Sequence, residues 1–106
     1  MKKSILITGK QGSGKTAKFK DMLSSLDQSK CTEMSFKEFQ LSIKSDLKKQ
    51  FDVIALDEIY SVEQIKYLSA AISTFNFILI VATQMSVNEL ETSVLSNFDV
   101  IECRLS

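Results

Sequence analysis

The chain has 106 residues, 44% of them hydrophobic, with thirteen basic and thirteen acidic side chains and a formal net charge of zero. That composition describes one domain, 1–106, with a packed core, and excludes a disordered chain. It gives no general attraction to nucleic acid or acidic membranes, so such binding would need a local basic patch.

No histidine is present, which excludes imidazole catalysis and His-ligated metals, and two cysteines are too few for a zinc site or a disulfide framework. Met1-Lys2-Lys3 leads directly into an apolar run too short for a signal peptide, and no stretch approaches a membrane span, so a cytoplasmic protein without membrane attachment is expected.

Taken in order, Ser4-Ile5-Leu6-Ile7-Thr8 reads as a buried strand. It runs into Gly9-Lys10-Gln11-Gly12-Ser13-Gly14-Lys15-Thr16, which fits the phosphate-binding pattern G-x-x-x-x-G-K-[ST] and contains all three glycines of the chain. The glycines let successive N–H groups curl toward an anion, and Lys15 reaches the β- and γ-phosphates as a point charge. Thr16 offers a hydroxyl to Mg²⁺. A helix opening inside the loop turns its positive end to the same phosphates. The ligand expected from these residues is a nucleoside triphosphate with Mg²⁺.

Phe19, Met22, Leu23 and Leu26 then mark one face of a helix ending near Leu26. Lys30 to Met34 reads as a mixed, edge-type strand. Ser35-Phe36-Lys37-Glu38 is a capping box opening a helix whose buried stripe is Phe36, Phe39, Ile43 and Leu47. Phe51 to Leu56 is a central strand that ends in Asp57-Glu58. Ser61-Val62-Glu63-Gln64 caps a helix with Ile65, Leu68, Ile72 and Phe75 facing inward. Phe77 to Ala82 is the most hydrophobic strand and ends in Thr83-Gln84. Ser86-Val87-Asn88-Glu89 caps a fourth helix carrying Leu90, Val94 and Leu95, and Asp99 to Arg104 is the last strand. This alternation specifies an α/β fold of three layers, a parallel sheet with helices on both faces and the ligand site beyond the carboxyl ends of the strands.

Asp57 after four apolar residues matches the Walker B pattern, a rigidly held carboxylate acting on the Mg²⁺ shell opposite Thr16. Glu58 beside it is placed to deprotonate a water that attacks the γ-phosphate. With these residues the chain resembles the P-loop NTPases with an additional strand and a catalytic glutamate, the RecA- and AAA-like class. The resemblance implies five strands in the order 5-1-4-3-2. The guanine-specifying N-K-x-D signature is absent, which favours ATP.

Ile80-Val81-Ala82-Thr83-Gln84 is similar to the corresponding strand of DNA-pumping ATPases, a group of septal translocases, conjugative coupling proteins and zonula-occludens-toxin-like proteins. That similarity implies that Gln84 senses the γ-phosphate. Such pumps carry clear arginine fingers, whereas Arg104 is the one arginine here. It lies at a strand end, and a homo-oligomer or a protein partner is expected to supply the finger. Lys48 and Lys49 read as surface charges at a helix C-terminus. An ATP-hydrolysing module, a nucleotide-binding switch and a small-molecule phosphotransferase all remain open, the last needing a lid and several arginines. In the expected strand order Cys31 and Cys103 fall on opposite edges, on the order of 19 Å apart at ~4.8 Å per strand, and are expected to be reduced thiols.

Overall fold

The computed structural model describes residues 4–9, 14–26, 31–43, 52–74 and 78–103. Within them the chain alternates strand and helix: β1 (Ser4–Thr8), α1 (Lys15–Ser24), β2 (Cys31–Met34), α2 (Phe36–Ser42), β3 (Val53–Ile59), α3 (Val62–Thr74), β4 (Ile78–Thr83), α4 (Thr92–Leu95) and β5 (Phe98–Glu102). The five strands are all parallel and ordered β2-β3-β4-β1-β5, which is the expected order read from the other edge. One strand, β4, separates β1 from β3. Parallel strands buried on both faces read as continuous apolar runs, and β4 does so with five of its six residues buried.

Strand alternation sends neighbouring residues to opposite faces of the sheet. On one face Leu6, Ile54, Leu56, Leu79 and Val81 meet Phe39 of α2, Ile65 and Leu68 of α3, and Val94 of α4. On the other, Ile7, Ala55, Ile80 and Ala82 meet Phe19 of α1. Phe36 and Phe39 are part of the core and not exposed stacking platforms: their rings meet Tyr67 edge-on at 5.4 and 6.3 Å.

The expected capping boxes form, the third on a 3₁₀ turn. Ser35 Oγ accepts from Glu38 N–H at 3.2 Å while Glu38 Oε1 accepts from Ser35 N–H at 3.2 Å. At α3, Ser61 and Gln64 exchange bonds of 3.2 and 3.1 Å, and Gln64 Oε1 also takes the Tyr60 N–H at 2.8 Å. Cys31 and Cys103 are free thiols, on and just beyond the two edge strands.

The fourth helix differs from expectation. Ser86 to Glu89 makes a 3₁₀ turn, closed by a 2.9 Å bond from Ser86 N–H to Glu89 Oε2, and Leu90 is extended at φ −112°, ψ 143° before α4 restarts for four residues. Asn88, Thr92, Ser93 and Val94 all have low helix propensity, so one uninterrupted helix is not favoured across the segment. Leu90 and Val94 still reach the core. Ser69 anchors the short helix, donating to Val94 O at 3.4 Å and accepting from Asn97 Nδ2 at 2.6 Å. The expected core positions Leu47 and Phe75 lie outside the described residues.

Two residues of α2 separate core from surface. Phe39 is 1% exposed and Leu41 64%. Phe39→Ala is expected to cost about 3–5 kcal/mol in urea unfolding, whereas Leu41→Ser should stay within about 0.5 kcal/mol of the parent.

Candidate functional site

The carboxyl ends of three adjoining strands form one rim, where Thr8 of β1 pairs in register with Thr83 of β4, and Thr83 with Ile59 of β3. After β1 the chain passes Gly9 and enters α1 through Gly14. Gly14 has φ 88° and ψ 8°, and an added Cβ would meet nothing within 4 Å, so glycine is required here by conformation and not by space. Gly14 makes no side-chain cap, and the first turn of α1 holds no acidic residue. Among the described residues, then, no cap or acid competes for its first N–H groups, which can face an external anion. Lys10, Gln11, Gly12 and Ser13, the middle of the phosphate-binding pattern, lie outside the described residues, as do Arg104, Lys48 and Lys49.

Lys15 is the first residue of α1 and is only 9% exposed. Burial pushes its ammonium below the usual 10.5, while Asp57 and then Cys103 pull it back up. An anion beside it would favour the charged form further. Thr16 is exposed on the next position of the helix, and Asp57 is half-buried on β3.

Asp57 and Glu58 do not end their strand. β3 continues to Ile59, but its register slips: Leu56 pairs with Val81 and Ile59 with Thr83, so three steps on β3 match two on β4. This is a β-bulge of one extra residue. Glu58 sits in it at φ 57°, the only described non-glycine residue at positive φ. Its N–H donates to Asp57 Oδ1 at 2.8 Å. The bulge reverses the alternation beyond it. Ile59 would otherwise share a face with Ala55, yet it is fully buried with Ile54 and Leu56 on the α3 side. Glu58 is left exposed at the rim. Tyr60 follows, 55% exposed, its phenol pushed above the usual 10.0 by desolvation and then by the Glu58 and Asp57 carboxylates.

Thr83 lies completely buried at the end of β4, and Gln84, immediately beyond it, is exposed. Beside Asp57 and Glu58 a groove of about 640 Å³ opens between β2 and the start of α3, lined also by Glu33, Met34, Phe36 and Gln64. Among the described residues no group of three or more His, Cys, Asp or Glu side chains could hold a metal ion. Mg²⁺ takes few protein ligands and keeps several waters, so Asp57 and Thr16 would be the residues to hold it here.

The glycine-rich pattern marks Lys15 as a phosphate-reaching charge but gives no sign of its burial, which the structure shows. Sequence reasoning also missed the roles of Ile59 and of the Thr83 hydroxyl. A bulge of this kind usually announces itself by glycine at the left-handed position, and here the position holds Glu58. The remaining signal was Ile59 itself, an apolar residue just past two acids.

A parallel five-stranded sheet in this order, with a glycine turn into a helix after β1 and an acidic pair on β3, is the fold of the P-loop NTPases. Among solved structures a single-substitution variant of RuvB from Thermotoga maritima is similar, with a TM-score of 0.60 and 24% identity over 94% of this chain and 37% of that one. The chain thus spans little more than a third of that structure's chain, and the likeness is one of fold. No protein-family model matches the chain, and no curated protein matches it. No helix among the described residues is long and apolar enough to cross a membrane.

Two substitutions test this geometry without nucleotide. Glu58→Gly should raise stability by about 1 kcal/mol, because a left-handed conformation costs a non-glycine residue roughly 1–2 kcal/mol. A lowered urea midpoint would contradict the bulge. Lys15→Met should melt no lower than wild type at neutral pH. A buried lysine with a lowered pKa releases its proton on folding, so wild-type stability rises with pH up to the usual 10.5, and the gap between the two proteins should narrow over that alkaline range.

Proposed function

We propose that this chain is an ATP-binding module that hydrolyses ATP slowly on its own and acts through an assembly or a partner. The observation that carries the proposal is the convergence, on one rim, of an uncapped helix start bearing Lys15 with the bulged Asp57-Glu58 pair. Gly9 to Thr16 cradle the triphosphate, and Lys15 neutralises its β- and γ-oxygens. Thr16 and Asp57 hold Mg²⁺, which when bound offsets phosphate charge. Glu58 takes the proton of the attacking water, and Gln84 contacts the γ-phosphate. Exposure of both Glu58 and Gln84 suits groups that must meet a ligand arriving from solvent.

Charge developing on the γ-phosphate calls for a further cation. An arginine supplied from a second subunit or another protein raises turnover by roughly 10³–10⁵ in proteins of this fold. The resemblance of Ile80 to Gln84 to DNA-pumping ATPases makes DNA the first partner to test.

Glu58→Gln should bind ATP and Mg²⁺ as wild type does and lose hydrolysis, since an amide keeps the shape but cannot accept the proton. Asp57→Asn should weaken only the Mg²⁺-dependent part of binding. Turnover should rise with protein concentration or on adding DNA, with solution mass followed in parallel. Tight ATP binding with no turnover under any of these conditions would favour a switch. Brisk turnover by a proven monomer, retained in Arg104→Ala, would show that no external arginine is needed.

A further inference from the structure

We infer that Thr83 is a positioning residue that sets both Glu58 and Gln84 through its hydroxyl, an inference resting on the hydrolytic reading above. The Thr83 side chain is fully buried, and its Oγ1 makes two bonds that leave its own strand. It donates to Ile59 O at 2.6 Å, on the far side of the bulge in β3, and accepts from Met85 N–H at 3.1 Å.

The first bond fixes the carbonyl immediately beyond the extra residue. With Asp57 Oδ1 holding the Glu58 amide at 2.8 Å, the backbone is tied on both sides of Glu58 while its side chain stays exposed. A left-handed glutamate persists only where its surroundings over-determine it, and these two bonds together with the buried Ile59 side chain do so. The second bond closes a Ser/Thr-type turn from Thr83 to Met85, with Gln84 at its apex. One hydroxyl thus fixes where two rim side chains start, one from β3 and one from the turn just beyond β4. Misplacing a reacting group by about 1 Å can cost roughly 10²-fold in rate. Such precision comes from rigid supporting contacts.

The experiment compares Thr83→Val, which keeps shape and removes the hydroxyl, with Thr83→Ser, which keeps the hydroxyl. The expected result for Thr83→Val is a loss of turnover approaching 10²-fold, with ATP affinity within about threefold of wild type, since each factor of ten is only about 1.4 kcal/mol. Thr83→Ser should recover most of the rate. Backbone torsions and amide exchange from NMR give the second readout. Wild type should show Glu58 left-handed and Met85 N–H protected, Thr83→Ser should keep both, and Thr83→Val should lose both. If Thr83→Val does not fold, Thr83→Ala serves in its place. Full turnover without the hydroxyl, an equal fall in affinity and rate, or failure of serine to rescue would each overturn the inference. So would a wild-type Glu58 that is not left-handed. A wild type with no turnover would sink the hydrolytic reading alone, and the NMR comparison would then decide the Thr83 clamp by itself.

Discussion

One extra residue in β3 is the constraint on which the rim depends. Without it the strand would carry Ile59 to the α1 face and turn Glu58 toward the α3 core, where an unpaired carboxylate would cost several kcal/mol. Slipping the register by one residue reverses both placements. Ile59 enters the core with Ile54, Leu56 and Ile65, and the acidic pair is left at the end of the sheet. The energy that holds Glu58 in a left-handed conformation therefore comes from burying an isoleucine, worth about 1.5–3 kcal/mol, against a backbone cost of roughly 1–2 kcal/mol. The two are close, which explains why the buried hydroxyl of Thr83 and the Asp57 carboxylate are also engaged there.

Lys15 shows the same balance in electrostatic form. Its ammonium is drawn out of water at the start of α1, and burial outweighs the opposing pull of Asp57 and then Cys103. A lysine on an open loop would bind an anion mainly through a screened surface charge. Held in a partly dry environment, with helix N–H groups facing the same way, it gains more from an arriving anion because the interaction is screened less.

The fold was legible because parallel β/α alternation writes itself in apolar runs and caps. Phe77 to Ala82 reads as the most hydrophobic strand, and Ser35 and Ser61 announced their helices through the residues three positions on. The placement of Lys15 and Glu58 was less legible, because both depend on what the sheet does to the chain. Burial of Lys15 comes from packing that a glycine-rich motif leaves unspecified. The bulge at Glu58 is a tertiary event, decided by whether Ile59 finds a cavity under α3, and no local propensity predicts a glutamate at positive φ. The break at Leu90 is of a different kind. Its capping signal at Ser86 was real, but the weak helix formers that follow limit how far a cap can propagate.

Bulge and turn share one atom. Thr83 Oγ1 touches the chain on either side of the β3–β4 boundary, so the position of Gln84 and the position of Glu58 are not independent. A ligand that draws Gln84 toward it pulls on the turn from Thr83 to Met85. If Thr83 acts as the clamp inferred above, stretching that turn would loosen the bond to Ile59 O, and with it one of the ties that keep Glu58 left-handed. The coupling is reciprocal, because any contact that stabilises the left-handed Glu58 must by the same free energy stabilise the turn that carries Gln84. Glu58 in β3 and Gln84 just beyond β4 are thus tied to one hydroxyl that belongs to neither of them.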